Sequence, residues 1–190
     1  ADFIQPEKAD RKSRVNLAGQ IAKVERLGQV SIEETPRVDT QIDEFNRVLG
    51  GGIVPGSMVL IGGDPGIGKS TLLLQVSSQL ANSGGTILYV AGEESASQIK
   101  LRAERLGVRG DADFFLYPET DMSQIRKAID ETKPDYVIID SIQTMQQPDV
   151  SSAVGSVAQI RETTAELLQI AKTNGITIFI VGHVTKDGAN

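Results

Sequence analysis

The sequence predicts an α/β domain with a mainly parallel central sheet flanked by helices. From residue 40 onward, short apolar runs alternate with longer amphipathic ones, the order expected of strands joined by crossover helices. The runs near residues 136 and 176 are almost continuously apolar, as strands covered on both faces must be. Between the apolar run Met58–Ile61 and the amphipathic run that opens at Thr71, residues 63–70 read Gly-Asp-Pro-Gly-Ile-Gly-Lys-Ser. This is a complete G-x-x-x-x-G-K-[ST] phosphate-binding loop in the strand–loop–helix context it requires.

Taken in order, residues 1–35 are polar and of mixed charge, and read as an N-terminal arm with strands around Ala22–Val24 and Gln29–Ile32. Arg11, Lys12 and Arg14 cluster there, as a solvated stretch or a binding site. The core is expected over 36–190. A short helix is predicted at Ile42–Leu49, stopped by Gly50, Gly51 and Gly52. Strands are predicted at Ser57–Ile61, Thr86–Ala91, Phe114–Tyr117, Tyr136–Asp140 and Ile176–Val181. Helices are predicted at Lys69–Asn82, Ser97–Leu106, Met122–Thr132 and Ala153–Asn174. Gly84, Gly85, Gly107 and Gly175 stand where helices should end. No internal repeat interrupts the pattern.

The phosphate loop needs its residue types. Gly63, Gly66 and Gly68 let the backbone wrap closely around an oligophosphate, with Asp64, Pro65 and Ile67 filling the motif's open positions. Backbone N–H groups and the N-terminus of the following helix supply positive potential. Lys69 is expected to reach the β/γ-phosphates, Ser70 to offer its hydroxyl to Mg²⁺, and Thr71 to lie near the α-phosphate. The expected cofactors are therefore ATP and Mg²⁺.

Ligands of a parallel α/β sheet bind at the carboxyl ends of its strands, and three further candidates fall there. Asp140 ends an apolar strand and suits a metal-supporting carboxylate that accepts from Ser70. Glu93 and Glu94 follow the strand next after the phosphate-loop helix. One can orient and deprotonate an attacking water, while the other is a helix N-terminal charge. Glu93 is favoured as the base and Glu94 as its neighbour. His183, the single histidine, ends the last strand and is followed by Thr185 and Lys186. It reads either as a γ-phosphate sensor or as an exposed turn residue. Gln143–Ser156 is polar and long enough for a functional loop, either against a nucleic-acid strand or as a mobile surface loop.

Four motifs in order carry a resemblance. Thr40–Ser57 leads into Gly62–Gln75; Tyr89–Ser95 and Val181–Gly188 follow. Together they resemble the RecA-like ATPases and, more narrowly, the bacterial RadA (Sms) family, over about residues 36–190. The resemblance implies a RecA fold, DNA-dependent ATP hydrolysis, a hexameric ring, and a motor on single-stranded DNA in recombinational repair and branch migration. It implies nucleotide and Mg²⁺ binding by Lys69 and Ser70, metal support by Asp140 and water activation by Glu93. The family also carries a four-cysteine zinc module, a Lys-Asn-Arg-Phe-Gly motif and a Lon-protease-like domain. This chain has no cysteine and neither of the others, and is expected to be an ATPase core taken from a longer protein.

Composition sets limits. The chain has 190 residues, enough for one sizeable core, with 39% hydrophobic and 23% charged residues. A net charge of −6 argues against a uniformly basic nucleic-acid surface, though not against DNA held in a local groove or ring channel. With no cysteine there are no disulfides and no thiolate metal site. No stretch reads as a transmembrane helix or signal peptide, so no membrane partner and a cytoplasmic location are expected. Two other functional readings stay open: a nucleotide-dependent assembly module with little turnover, and a KaiC-like phosphotransferase.

Overall fold

The computed structural model describes residues 23–31, 37–62 and 67–182. The chain divides into two units, Ala1–Pro36 and Arg37–Asn190. In the first, Lys23–Ser31 holds a single 3-10 turn, Leu27–Gln29. The expected strands are not found there, and Ala22 and Ile32 lie outside the described residues. The Gln29 and Val30 amides bond back to Arg26 and Leu27, so they are spent locally rather than offered to a ladder.

The second unit is the α/β domain. Its elements are α1 (Asp43–Val48), β1 (Met58–Ile61), α2 (Ile67–Asn82), β2 (Ile87–Ala91), α3 (Ala96–Arg105), β3 (Phe114–Tyr117), α4 (Met122–Thr132), β4 (Tyr136–Asp140), α5 (Val157–Asn174) and β5 (Thr177–Val181). The five strands form one sheet in the order β1-β5-β4-β2-β3, and every pairing is parallel.

Strand alternation divides the core between two layers. Ile87, Tyr89, Ala91, Ile138, Phe179 and Val181 pack with α1, α2 and α3 through Phe45, Leu73, Leu74, Leu80, Ile99 and Ala103. Leu88, Val90, Val137, Ile139, Ile178 and Ile180 pack on the other face with Met122, Ile125, Ile129, Leu167 and Ala171 of α4 and α5. Each fully buried aliphatic side chain stabilises the fold by roughly 1.5–3 kcal/mol.

Helix ends follow local chemistry. Ser95 and Gln98 form a reciprocal capping box at the start of α3, and Asp121 caps α4 by accepting from the Ser123 amide. Gly175 takes φ 67° just past α5, the left-handed stop that glycine adopts without a Cβ clash. The last helix starts later than its sequence suggests, at Val157 rather than Ala153. Gly155 has φ 83° and Ser156 caps the Gln159 amide, so the helix cannot extend back through them.

Register brings the strand ends into line. Ala91 pairs with Asp140, Asp140 with Val181, and Val181 with Ile61. The next residues stay tied: the Gly92 amide donates to Asp140 O at 2.8 Å and the Gly182 amide to Ile61 O at 2.9 Å. The ends of β2, β4, β5 and β1 thus present one row along the carboxyl edge.

Candidate nucleotide site

The described part of the site begins in the first turn of α2. Lys69 Nζ donates to the Gly182 carbonyl at the end of β5, at 3.1 Å. Ser70 Oγ donates to Asp140 Oδ2 at 2.8 Å, joining residues 70 positions apart. Thr71, next on the helix, is exposed. Gly63, Asp64, Pro65 and Gly66 of the loop lie outside the described residues, as does the side chain of Ile67. Gly68 is exposed, and a Cβ built there would meet nothing within 4 Å. His183, Thr185 and Lys186 also lie outside the described residues.

Ser70, Ala91, Glu93, Glu94, Asp140 and Ser141 line one cleft at the carboxyl edge. The row of strand ends is why: Asp140 closes β4, and the glutamates follow β2 one and two residues past Gly92. The two carboxylates differ sharply. Arg102 Nη1 donates to both oxygens of Glu94, at 2.9 and 2.8 Å. Glu93 is exposed, and it shares no such pair with Arg102. Serine at position 95, rather than either glutamate, caps α3.

Two contacts hold this architecture that the motifs did not reveal. Tyr89, at 0% exposure in β2, donates its phenol to Asp140 Oδ2 at 3.0 Å, on the oxygen that Ser70 also uses. Burial, then the neighbouring Asp140 carboxylate, pushes the Tyr89 phenol well above its ordinary range, so it remains a donor. The second contact is at Gly92. A Cβ there would lie 2.0 Å from Thr144 Oγ1, so only glycine allows the β2 turn and the turn after β4 to approach this closely. A tyrosine inside an otherwise apolar buried strand is itself a signal, because its hydroxyl must find a partner. The Gly92–Thr144 approach has no signal in sequence.

The loop after β4 is only partly as expected. It opens with a 3-10 turn, Ile142–Thr144, and Gln146 bridges to Asp121. Gln147 is buried rather than facing a partner. Gln159, 1% exposed on α5, accepts from the Gln147 amide at 2.7 Å and donates to the carbonyls of Gln147, Val150 and Ser152. Gln147 in turn donates to Glu166, which pairs with Arg126 of α4. These bonds tie the loop to two helices, which argues against its being a mobile surface loop. Gln146, Ser151, Ala153 and Val154 remain exposed.

The site's donors are hydroxyl and carboxylate oxygens, and among the described residues no group of three or more His, Cys, Asp or Glu could hold a metal. One carboxylate and one hydroxyl, completed by phosphate oxygens, fits Mg²⁺ better than a metal held by protein alone. Ser70 and Asp140 are the described residues able to hold it.

Residues 23–189 match the AAA domain family. The chain belongs to that family. This agrees with the five-stranded parallel sheet and a RecA-like phosphate-loop fold. The chain is 61% identical over 178 residues to the DNA repair protein RadA of Streptococcus pneumoniae, covering 94% of this chain and 42% of that protein. It is 56% identical over 188 residues to the DNA repair protein RadA of Listeria monocytogenes, and 55% identical over 189 residues to that of Bacillus subtilis. Each of these two covers 99% of this chain and 41% of the relative. The resemblance in the motifs therefore runs through nearly all of this chain, which spans about two fifths of the length of these relatives. Membership implies nucleotide binding. No described helix is long and apolar enough to cross a membrane.

Proposed function

We propose that this chain is the Mg²⁺-dependent, ATP-binding and ATP-hydrolysing core of a DNA repair motor acting on single-stranded DNA. The core is taken as 36–190, with 1–35 as an arm. The observation that carries the reading is the 2.8 Å bond from Ser70 to Asp140, with Glu93 and Glu94 lining the same cleft. It joins the phosphate-loop helix to an acidic strand end, the pairing that nucleotide-hydrolysing sites of this class use.

In this reading Gly63–Thr71 cradles the triphosphate and Lys69 leaves the Gly182 carbonyl to neutralise the β/γ-phosphates. Ser70 and Asp140 hold Mg²⁺, which when bound supplies charge neutralisation at the phosphate oxygens. Glu93 orients a water for in-line attack and takes its proton as the bond from the γ-phosphorus to the bridging oxygen breaks. Glu94, held by Arg102, fixes the turn that carries Glu93. His183, two residues past β5 in the sequence, is read as the γ-phosphate sensor. Assembly as a hexameric homo-oligomer, DNA dependence, branch migration and a cytoplasmic location are carried by the likeness to the RadA proteins.

The test is nucleotide binding and turnover of the chain with Lys69→Ala, each with and without single-stranded DNA. Lys69→Ala is expected to weaken ATP binding at least tenfold, read by calorimetry, with the melting temperature of the nucleotide-free chain retained. ATP affinity equal to wild type refutes the site. Turnover indifferent to DNA refutes the motor reading for this chain.

A further inference from the structure

Asp140 is held from two sides on a single oxygen. Ser70 Oγ donates to Oδ2 at 2.8 Å and Tyr89 donates to the same atom at 3.0 Å. No described residue donates to Oδ1. The two donors differ in kind. Ser70 is a short side chain in the first turn of α2, and in the reading above it turns its oxygen towards the cation. Tyr89 is at 0% exposure in a central strand, with its ring stacked on Phe114 at 6.3 Å and 19° between planes. Its rotamer is set by close-packed neighbours, so its phenol is a fixed point. A carboxylate rotates broadly about its last torsion unless something holds it.

We infer that Tyr89 is a positioning residue for the proposed metal site: its phenol pins Asp140 Oδ2, so that Oδ1 keeps its orientation when Ser70 moves to the cation. This rests on the reading of Asp140 as the metal-supporting carboxylate. Groups that orient metal-supporting ligands typically change metal affinity by about 10- to 100-fold when removed. Tyr89 would act on the cation without touching nucleotide or water, and so is distinct from Lys69, Ser70 and Glu93.

The experiment is Mn²⁺ binding to the nucleotide-loaded chain, read from the free-ion signal in electron paramagnetic resonance, for wild type, Tyr89→Phe and Asp140→Asn. Metal-free nucleotide affinity and thermal melting are measured alongside. Tyr89→Phe keeps the ring and removes only the hydroxyl. It is expected to weaken Mn²⁺ binding roughly tenfold while metal-free nucleotide affinity stays within twofold. A merely structural hydroxyl would lower the melting temperature and leave metal affinity untouched; that outcome overturns the inference. Should Tyr89→Phe fail to fold, 4-fluorophenylalanine at position 89 fills the hydroxyl's space with no O–H to donate, and an unchanged Mn²⁺ affinity there also overturns it. Asp140→Asn separates the two levels. If it weakens Mn²⁺ binding and Tyr89→Phe does not, Tyr89 alone is misassigned; if it has wild-type affinity, the metal site itself is misassigned.

Discussion

The turn after β2 and the loop after β4 leave the sheet side by side and are built in opposite ways. The β2 turn is short. Gly92 brings it against Thr144, Ser95 caps the next helix, and Arg102 fixes Glu94, leaving Glu93 exposed. The β4 loop is long, yet its amides and carbonyls close on one buried side chain, Gln159, and through Gln147 on Glu166. Length therefore does not set how firmly a loop is bonded here. What matters is where the backbone polar groups find partners, because buried ones left unmade are costly. The short turn ties down Glu94 and leaves exposed Glu93, the carboxylate proposed as the base.

The largest effect should come from breaking the difference between the two glutamates. Glu93→Gln is expected to lower ATP turnover by about 10²- to 10⁴-fold, the usual contribution of a positioned base, with nucleotide binding intact. Glu94→Gln should act less, through loss of the Arg102 pair. Steady-state turnover of both variants decides it, and arrest by Glu94→Gln alone reverses the assignment. Next is the β4 loop. Gln159→Leu strands the Gln147 amide and three carbonyls, at about 1–3 kcal/mol for each buried group that water cannot reach. Val150 and Ser152 are only half-buried, so water can meet their carbonyls, and a total of about 3 kcal/mol is expected in urea denaturation, with faster hydrogen exchange at Gln147. Unchanged exchange there would show that the loop holds itself.

A smaller effect tests the contact the two regions share. Gly92→Ala forces a methyl to 2.0 Å from Thr144 Oγ1. Overpacking of this kind costs roughly 1–3 kcal/mol. Thr144→Gly should relieve much of it, so a double-mutant cycle is expected to give strong coupling. Additive effects would mean that the turns do not bear on each other. The smallest effect is at the foot of the β4 loop, where Asp121 bridges to Gln146. Bonds from the Ser123 hydroxyl and then its amide hold the Asp121 carboxyl below its ordinary value of 3.8. A lowered folded value means its stabilisation is full above about pH 4 and is lost as pH falls through that lower value. Asp121→Asn should flatten this part of the stability–pH profile, measured by thermal melting from pH 5 to pH 2.

Much of the domain was legible from periodicity. The near-continuous apolar runs of β2, β4 and β5 carry their own burial, and the predicted Phe114–Tyr117, Met122–Thr132 and Tyr136–Asp140 match the observed spans. The start of α5 departs from the expected Ala153 because the αL backbone of Gly155 and the cap at Ser156 decide the boundary. Of the strands expected in the arm, the described residues form none, because the Gln29 and Val30 amides close a local turn on Arg26 and Leu27. Asp140, Glu93 and Ser70 were readable as candidates because each follows a local pattern of strand end or loop motif.

By itself, then, the sequence determined the α/β class, the phosphate-loop motif and which polar residues stand at the described strand ends, since all of these are written in local spacing. Only the tertiary structure decided which of those residues meet. The order β1-β5-β4-β2-β3 sets Asp140 in line with Ala91 and Val181, brings Ser70 and Tyr89 onto one carboxylate oxygen, and separates Glu93 from the Arg102-bound Glu94. The physical reason is that these contacts join residues 8 to 70 positions apart. Such pairings depend on strand order, register and packing, which no short window of residues encodes.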